Sequence, residues 1–172
     1  MPRFLICASS SGRISLFHMK DIVKENSAAP QPALSFQAHK GAAYTLTFHG
    51  QGEDLLLLSG GDDGRILGWR WDELEQAVDA STLKRGGQKA TPDAVPSPSF
   101  ELQAPQVVGP YNTLLPVSEV NSLAATASPG AVLSGGGDGV CYLWDLAAQR
   151  PVTSMKVRRG NATDDLNEGE EG

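Results

Sequence analysis

The sequence predicts an all-β protein that is built from repeated antiparallel units. Three stretches align with one another, at residues 4–17, 55–69 and 130–144. Each contains an apolar run, a group of small residues with a glycine, and a second apolar run, and an aromatic residue follows the aligned glycine by five positions. Three matches in register indicate an internal repeat. The 19 glycines and 11 prolines among 172 residues are typical of frequent turns between short strands.

The centre of each repeat predicts a β-hairpin. Asp63-Gly64 and Asp138-Gly139 suit a tight turn, because glycine accepts a positive φ and aspartate bonds its own backbone. A phosphate-binding loop would need Lys-Ser or Lys-Thr after the glycines, and a calcium loop would put Gly64 and Ile66 at ligand positions. We therefore expect turns with no metal and no cofactor. The predicted turn glycines are Gly12, Gly64 and Gly139.

Further strands complete each unit. We expect strands at 42–48, after a turn that carries His39, and at 119–126, while 71–79 is predicted as a short helix. A fourth strand is expected at 33–37, 100–103 and 151–157 in the three units. Four antiparallel strands form one blade of a β-propeller. The predicted parts are blade one at 1–37 without its first strand, blade two at 38–103 with a mobile insertion at about 79–99, blade three at 104–157, and a disordered acidic tail at 158–172.

The repeats resemble the WD-repeat family, whose propeller blades are each braced by a hydrogen-bonded His, Ser or Thr, Asp and Trp. Phe17 occupies the tryptophan position of blade one. The resemblance implies that the matching residues are structural and that none is catalytic. This structural tetrad is His39, Ser59, Asp63 and Trp69 in blade two, and Ser134, Asp138 and Trp144, without the histidine, in blade three.

A narrower resemblance is to the THO complex subunit 6 family, and most closely to its plant members. It covers about residues 4–157, and its most specific part is Gly-Trp-Arg-Trp running into an acidic helix at 68–79. The resemblance implies a nuclear protein-interaction scaffold of the THO/TREX assembly in mRNA processing and export, with other THO/TREX subunits as partners. Plant relatives are also linked to cullin-RING ubiquitin ligases through a Trp-Asp-x-Arg box. That alternative, a substrate-recruiting subunit that binds a ligase adaptor, is weakened by Ala147 in Trp144-Asp145-Leu146-Ala147.

Composition and motifs argue against other classes of function. The net charge of −6 disfavours direct binding to nucleic acid, and the absence of a long apolar run disfavours a membrane protein. His18, His39 and His49 form no predicted nucleophile–base pair, and His49 is expected in a solvated loop, so we expect no enzyme. Cys7 and Cys141 have no metal-ligand spacing and are expected to be buried free thiols.

The number of units predicts an incomplete propeller. A closed propeller has at least four blades, whereas three are recognisable in residues 1–157. We therefore expect a truncated product, with no function of its own as a further alternative. Open ends and the unpaired edge at residues 3–8 predict that the isolated chain is unstable.

Overall fold

The computed structural model describes residues 3–23, 29–84, 96–106, 108 and 110–156. In this part of the chain, eleven strands form three antiparallel sheets. Each sheet follows chain order, so every strand pairs with its neighbour in sequence. The all-β prediction is therefore confirmed.

The strands of each sheet have the following bounds. Sheet one contains β1 (Phe4–Ala8), β2 (Arg13–His18) and β3 (Leu34–Gln37). Sheet two contains β4 (Ala43–His49), β5 (Leu56–Gly61), β6 (Arg65–Arg70) and β7 (Phe100–Gln103). Sheet three contains β8 (Val120–Ala125), β9 (Ala131–Gly136), β10 (Val140–Asp145) and β11 (Arg150–Lys156). The two α-helices of the described residues are α1 (Met19–Ile22) and α2 (Trp71–Lys84), and short 3-10 turns lie at Gly52–Asp54 and Pro110–Asn112.

Three expectations from the sequence need comment here. The segment 79–84, expected to begin the loop insertion, instead continues α2. The rest of that insertion from 85 to 95, and the predicted acidic tail at 158–172, lie outside the described residues. Cys7 was expected to be buried but is exposed, because it alternates along β1 with Ile6 and Ala8, which face the neighbouring sheet.

The three sheets stack face to face through two apolar clusters. Ile14 and Leu16 of sheet one pack with Leu57 and Trp69 of sheet two, and α2 adds Leu74 to this cluster. A second cluster joins sheets two and three in the same way. Its buried members are Leu58, Ile66, Leu102, Val120, Val132 and Trp144. Sheets two and three have four strands and sheet one has three, and such face-to-face packing of antiparallel sheets is typical of propeller blades.

Candidate functional site

A buried histidine connects two loop ends of sheet two. His39 lies in the turn before β4, and its ring is 1% exposed. Its Nε2 lies 2.7 Å from Oγ of Ser59 on β5, and its Nδ1 lies 2.8 Å from Oδ1 of Asp63 in the β5–β6 turn. The histidine thus ties a preceding loop both to a strand and to the hairpin turn that follows it.

The Asp63 carboxylate accepts hydrogen bonds from three residues. Besides His39, the backbone N–H of Lys40 donates to Oδ2 at 3.1 Å, and the backbone N–H of Arg65 donates to Oδ1 at 3.3 Å. The Arg65 guanidinium lies 3.3 Å from Oδ2. Burial by itself raises the pKa of the Asp63 carboxyl, but the hydrogen bonds from His39 and Lys40 outweigh it, and the pKa lies below its ordinary value.

The contacts of Asp63, His39 and Ser59 have the order of a hydrolase triad. Folding joins these residues although Ser59 and Asp63 are 20 and 24 positions from His39, and all three were expected to brace a blade rather than to catalyse. Ser59 is 0% exposed, however, and a Cβ at Gly61 would lie 2.6 Å from the His39 ring. A substrate cannot reach the hydroxyl, so the arrangement can hold the turn in place but cannot perform acyl transfer in this conformation.

Trp69 lies beside this network without joining it. Its ring is buried and meets Phe36 of sheet one edge to face, with centroids 5.3 Å apart. Within the described residues the indole Nε1 has no hydrogen-bond partner, which contradicts the expected bond between Trp69 and the rest of the tetrad. The Ser59 hydroxyl is instead engaged by His39.

Sheet three shows the complementary arrangement. Here Nε1 of Trp144 donates to Oγ of Ser134 at 2.8 Å, and both residues are buried. Asp138 accepts the backbone N–H of Val140 at 3.0 Å and donates its own N–H to Ser118 Oγ at 3.2 Å. The strand serine thus bonds the histidine in sheet two and the tryptophan in sheet three.

His49 was expected in a solvated loop, and this expectation is wrong. It is the last residue of β4 and is buried. Its Nε2–H donates to the backbone oxygen of Pro129 in sheet three's β8–β9 loop at 2.7 Å, whereas Nδ1 has no partner in the part of the chain that the structure describes. The partner is 80 residues away, so no local sequence signal could have revealed this connection between two sheets.

The Gly-Trp-Arg-Trp segment, residues 68–71, lies at the end of sheet two that is remote from the β5–β6 turn. Trp71 meets Phe48 edge to face with centroids 5.0 Å apart, and Phe4 with centroids 5.9 Å apart. Arg70 donates to Asp72 at 3.2 Å and to the backbone oxygen of Glu53 at 3.0 Å. Beside these aromatic rings is an apolar cavity of about 400 Å³ between β1, β4 and α2.

The described residues contain no group of three or more His, Cys, Asp or Glu side chains arranged to hold a metal ion. None of the helices in the same ranges is long and apolar enough to cross a membrane.

Comparison with known proteins identifies the repeats. The family model "WD domain, G-beta repeat" matches residues 30–70 and 112–145. The chain contains WD repeats. The two matches contain β3 of sheet one and parts of sheets two and three, and they include both Trp69 and Trp144. The predicted recognition of the family and of a propeller-type fold is thereby confirmed.

Two curated proteins with similar sequences share the same name. "THO complex subunit 6" of Arabidopsis thaliana is 30% identical over 190 residues, which cover 99% of this chain and 50% of the relative. "THO complex subunit 6" of Homo sapiens is 28% identical, with 92% of this chain and 38% of the relative covered. This WD-repeat chain therefore spans about half the length, or less, of these relatives.

A solved structure supports the fold. A chain from the crystal structure of the Mitotic Checkpoint Complex matches with a TM-score of 0.54 at 18% identity, covering 91% of this chain and 36% of that one. At this identity, the likeness concerns the fold alone.

Proposed function

We propose that this WD-repeat protein is a non-catalytic scaffold subunit of a THO/TREX-type complex that acts in nuclear mRNA processing and export. The observation that carries the proposal is the 30% identity to the Arabidopsis THO complex subunit 6 across 99% of this chain. The similarity to this relative covers the Gly-Trp-Arg-Trp segment at 68–71 and α2, whereas the WD family match ends at residue 70. The expected partners are other THO/TREX subunits.

The geometry supports a binding role over catalysis. The side chains with catalytic potential in sheet two, Ser59 and His39, are buried and bonded to one another. A fluorophosphonate probe, which modifies accessible activated serines, should leave Ser59 unlabelled in the folded chain, with a serine hydrolase as the positive control. Labelling of Ser59 would contradict the non-catalytic assignment.

Affinity purification tests the scaffold role directly. The tagged chain is expressed in cells that contain the THO complex and is recovered from nuclear extract, and co-purifying proteins are identified by mass spectrometry. THO subunits should be enriched over a control with an equally tagged, unrelated WD-repeat protein. Failure to enrich any THO subunit from extract in which the complex is intact would count against the proposal.

The same experiment distinguishes the scaffold proposal from the ubiquitin-ligase alternative. That reading depends on a Trp-Asp-x-Arg box, and Ala147 stands at its arginine position, next to the exposed end of β10. The variant Ala147→Arg restores the box. If the scaffold proposal is right, recovery of THO subunits is unchanged by this variant, whereas a ligase subunit would bind more of a ligase adaptor.

A further inference from the structure

Three aromatic rings line the apolar cavity between β1, β4 and α2. The ring of Trp71, in the Gly-Trp-Arg-Trp segment, stands at 73° to the ring of Phe4 and at 81° to the ring of Phe48. Because neighbouring rings are nearly perpendicular, they bound the cavity on different sides. Its volume of about 400 Å³ lies within the usual range of ligand sites. Phe48 is 44% exposed, so the aromatic wall is accessible from solvent.

Carboxylates of α2 lie at the same cavity. Glu75 lines it, and Asp79 follows four positions later on the same side of the helix. Oε1 of Glu75 lies 3.4 Å from one guanidinium nitrogen of Arg3, and Oδ1 of Asp79 lies 2.7 Å from another. The second oxygen of Glu75 accepts no hydrogen bond from the described residues. Glu75 therefore retains an acceptor for a further cationic donor.

Arg3 shows which chemistry these groups accept. Its guanidinium carbon lies 4.9 Å from the centroid of the Phe4 ring while its nitrogens pair with the carboxylates of α2. A guanidinium is planar and weakly hydrated, so it can stack on an aromatic ring and donate to a carboxylate at the same time. Within the described residues, no cation lies over the rings of Trp71 or Phe48. The combination of aromatic ring and carboxylate is thus available for a second guanidinium.

We propose that this cavity is a docking site for an arginine side chain of a partner protein. The guanidinium lies against Trp71 and Phe48 and donates to Glu75, while the aliphatic part of the side chain contacts the apolar lining. Charge favours this occupant, because the site carries two carboxylates, those of Glu75 and Asp79, and one cation, Arg3. Arginine is also enriched among the residues that dominate binding at protein interfaces. The proposal does not depend on the THO assignment.

Capped tripeptides test the choice of side chain. Arginine, lysine or citrulline is placed between two glycines, and binding to the full chain is measured by saturation-transfer NMR. This method observes the peptide, so it works at micromolar chain concentration whatever the oligomeric state. The arginine peptide should bind most tightly, because citrulline lacks the charge and lysine lacks the planar donor group. Equally tight binding of either other peptide, or no binding of the arginine peptide, would overturn the proposal. Tighter binding of free arginine would indicate an amino-acid site and would overturn the docking role.

Paired variants test whether the arginine peptide binds in this cavity. Glu75→Gln removes the acceptor charge and should weaken binding by about two- to fivefold. Its matched control is Glu73→Gln, on the same helix but outside the cavity lining, which should bind as wild type does. Phe48→Leu should weaken binding by a similar factor of about two to five, whereas Tyr44→Leu, which changes an exposed ring elsewhere on β4, should not. Equal effects within either pair would contradict binding in the cavity.

One further variant tests whether Arg3 and the peptide compete for the same groups. Arg3→Ala frees the carboxylates of α2 and the Phe4 ring, so binding of the arginine peptide should tighten by about two- to fivefold. The citrulline peptide should gain nothing, because it carries no charge. Weaker binding of the arginine peptide to Arg3→Ala would mean that Arg3 builds the cavity instead of competing for it, and this result would overturn the proposal.

Discussion

Burial decides what the His39 network can do at the scale of single residues. The same three side chains in an open cleft would be candidates for acyl transfer, since the histidine lies within bonding distance of both serine and aspartate. In the buried interior of sheet two, these three side chains have a structural role, because a buried polar atom with a hydrogen-bond partner avoids a desolvation cost. The network therefore fixes the turn before β4 and the β5–β6 turn relative to each other.

The first prediction concerns removal of the shared acceptor. Asp63→Ala leaves Nδ1 of His39 and the N–H of Lys40 without their acceptor. We expect the free energy of unfolding to fall by about 1–3 kcal/mol, as measured by urea denaturation. Asp62→Ala is the matched control, because Asp62 is exposed and its side chain accepts one hydrogen bond within the described residues, from the Tyr44 hydroxyl. Equal losses in the two variants would contradict a special role for Asp63.

The second prediction concerns the stability of the chain at low pH. The pKa of Asp63 is lowered in the folded chain, so the unfolded chain binds this proton at a higher pH. The stabilisation is complete above the ordinary carboxyl pKa of about 3.9 and is lost as the pH falls through the lower folded value. Stability measured from pH 7 downward should therefore decline less steeply below about pH 4 in Asp63→Asn than in wild type. Parallel curves would show that Asp63 is not the responsible group.

A third prediction uses the contrast between the two buried tryptophans. Trp69→Phe removes an indole N–H that has no partner among the described residues, whereas Trp144→Phe also removes the donor to Ser134. Since ring volume changes equally, we expect Trp144→Phe to cost about 1 kcal/mol more in unfolding free energy than Trp69→Phe. Chemical denaturation followed by circular dichroism avoids reliance on tryptophan fluorescence. A larger loss from Trp69→Phe would mean that its indole is bonded in solution.

At the scale of elements, the hairpins were the easiest part to predict from sequence. The hairpin predicted around Asp63-Gly64 is observed as the strands Leu56–Gly61 and Arg65–Arg70, because apolar runs and an Asp-Gly pair define a hairpin locally. The end of α2 was harder, since residues 79–84 carry weak amphipathic patterning and gain contacts from outside the helix. Ser81, for example, donates to the backbone oxygen of Ala33 at 2.8 Å.

The sequence predicted only part of the candidate site. Family resemblance named His39, Ser59, Asp63 and Trp69, but it could not say which hydrogen bonds form, because the choice of partner for a buried hydroxyl depends on side-chain positions. His49 was missed altogether, since its role depends on Pro129 in another sheet. Local patterns specify strands and turns, whereas contacts between sheets depend on how the stack packs.

A fourth prediction separates two turn glycines. Gly64 and Gly139 have φ of +70° and +75°, so a side chain at either position is strained by about 1–2 kcal/mol. At Gly64, a Cβ would also collide with Val117 and lie 2.7 Å from the backbone oxygen of Ser118, whereas nothing lies within 4 Å at Gly139. Gly64→Ala should therefore lower the melting temperature more than Gly139→Ala. Equal shifts in a thermal melt would indicate that the segment at 117–118 yields easily.

The whole molecule is a stack whose ends differ from its middle. Within the described residues, sheet two buries both faces, whereas sheets one and three each bury one. Apolar side chains on the open sides include Leu5 and Met155, and exposed apolar faces favour association. The sequence-based expectation that the isolated chain is unstable follows from these open faces.

The last prediction tests that expectation on the purified chain. Apolar side chains on the open sides of sheets one and three favour aggregation. We therefore expect size-exclusion chromatography to show aggregates, and thermal melts to be irreversible with midpoints that depend on the scan rate. Leu143→Glu, which places a charge on the open side of sheet three, should reduce the aggregated fraction more than Leu114→Glu, which lies on an exposed segment. A monodisperse monomer with one reversible transition well above about 50 °C, where mesophile domains melt, would contradict the expectation and show that three sheets are stable on their own.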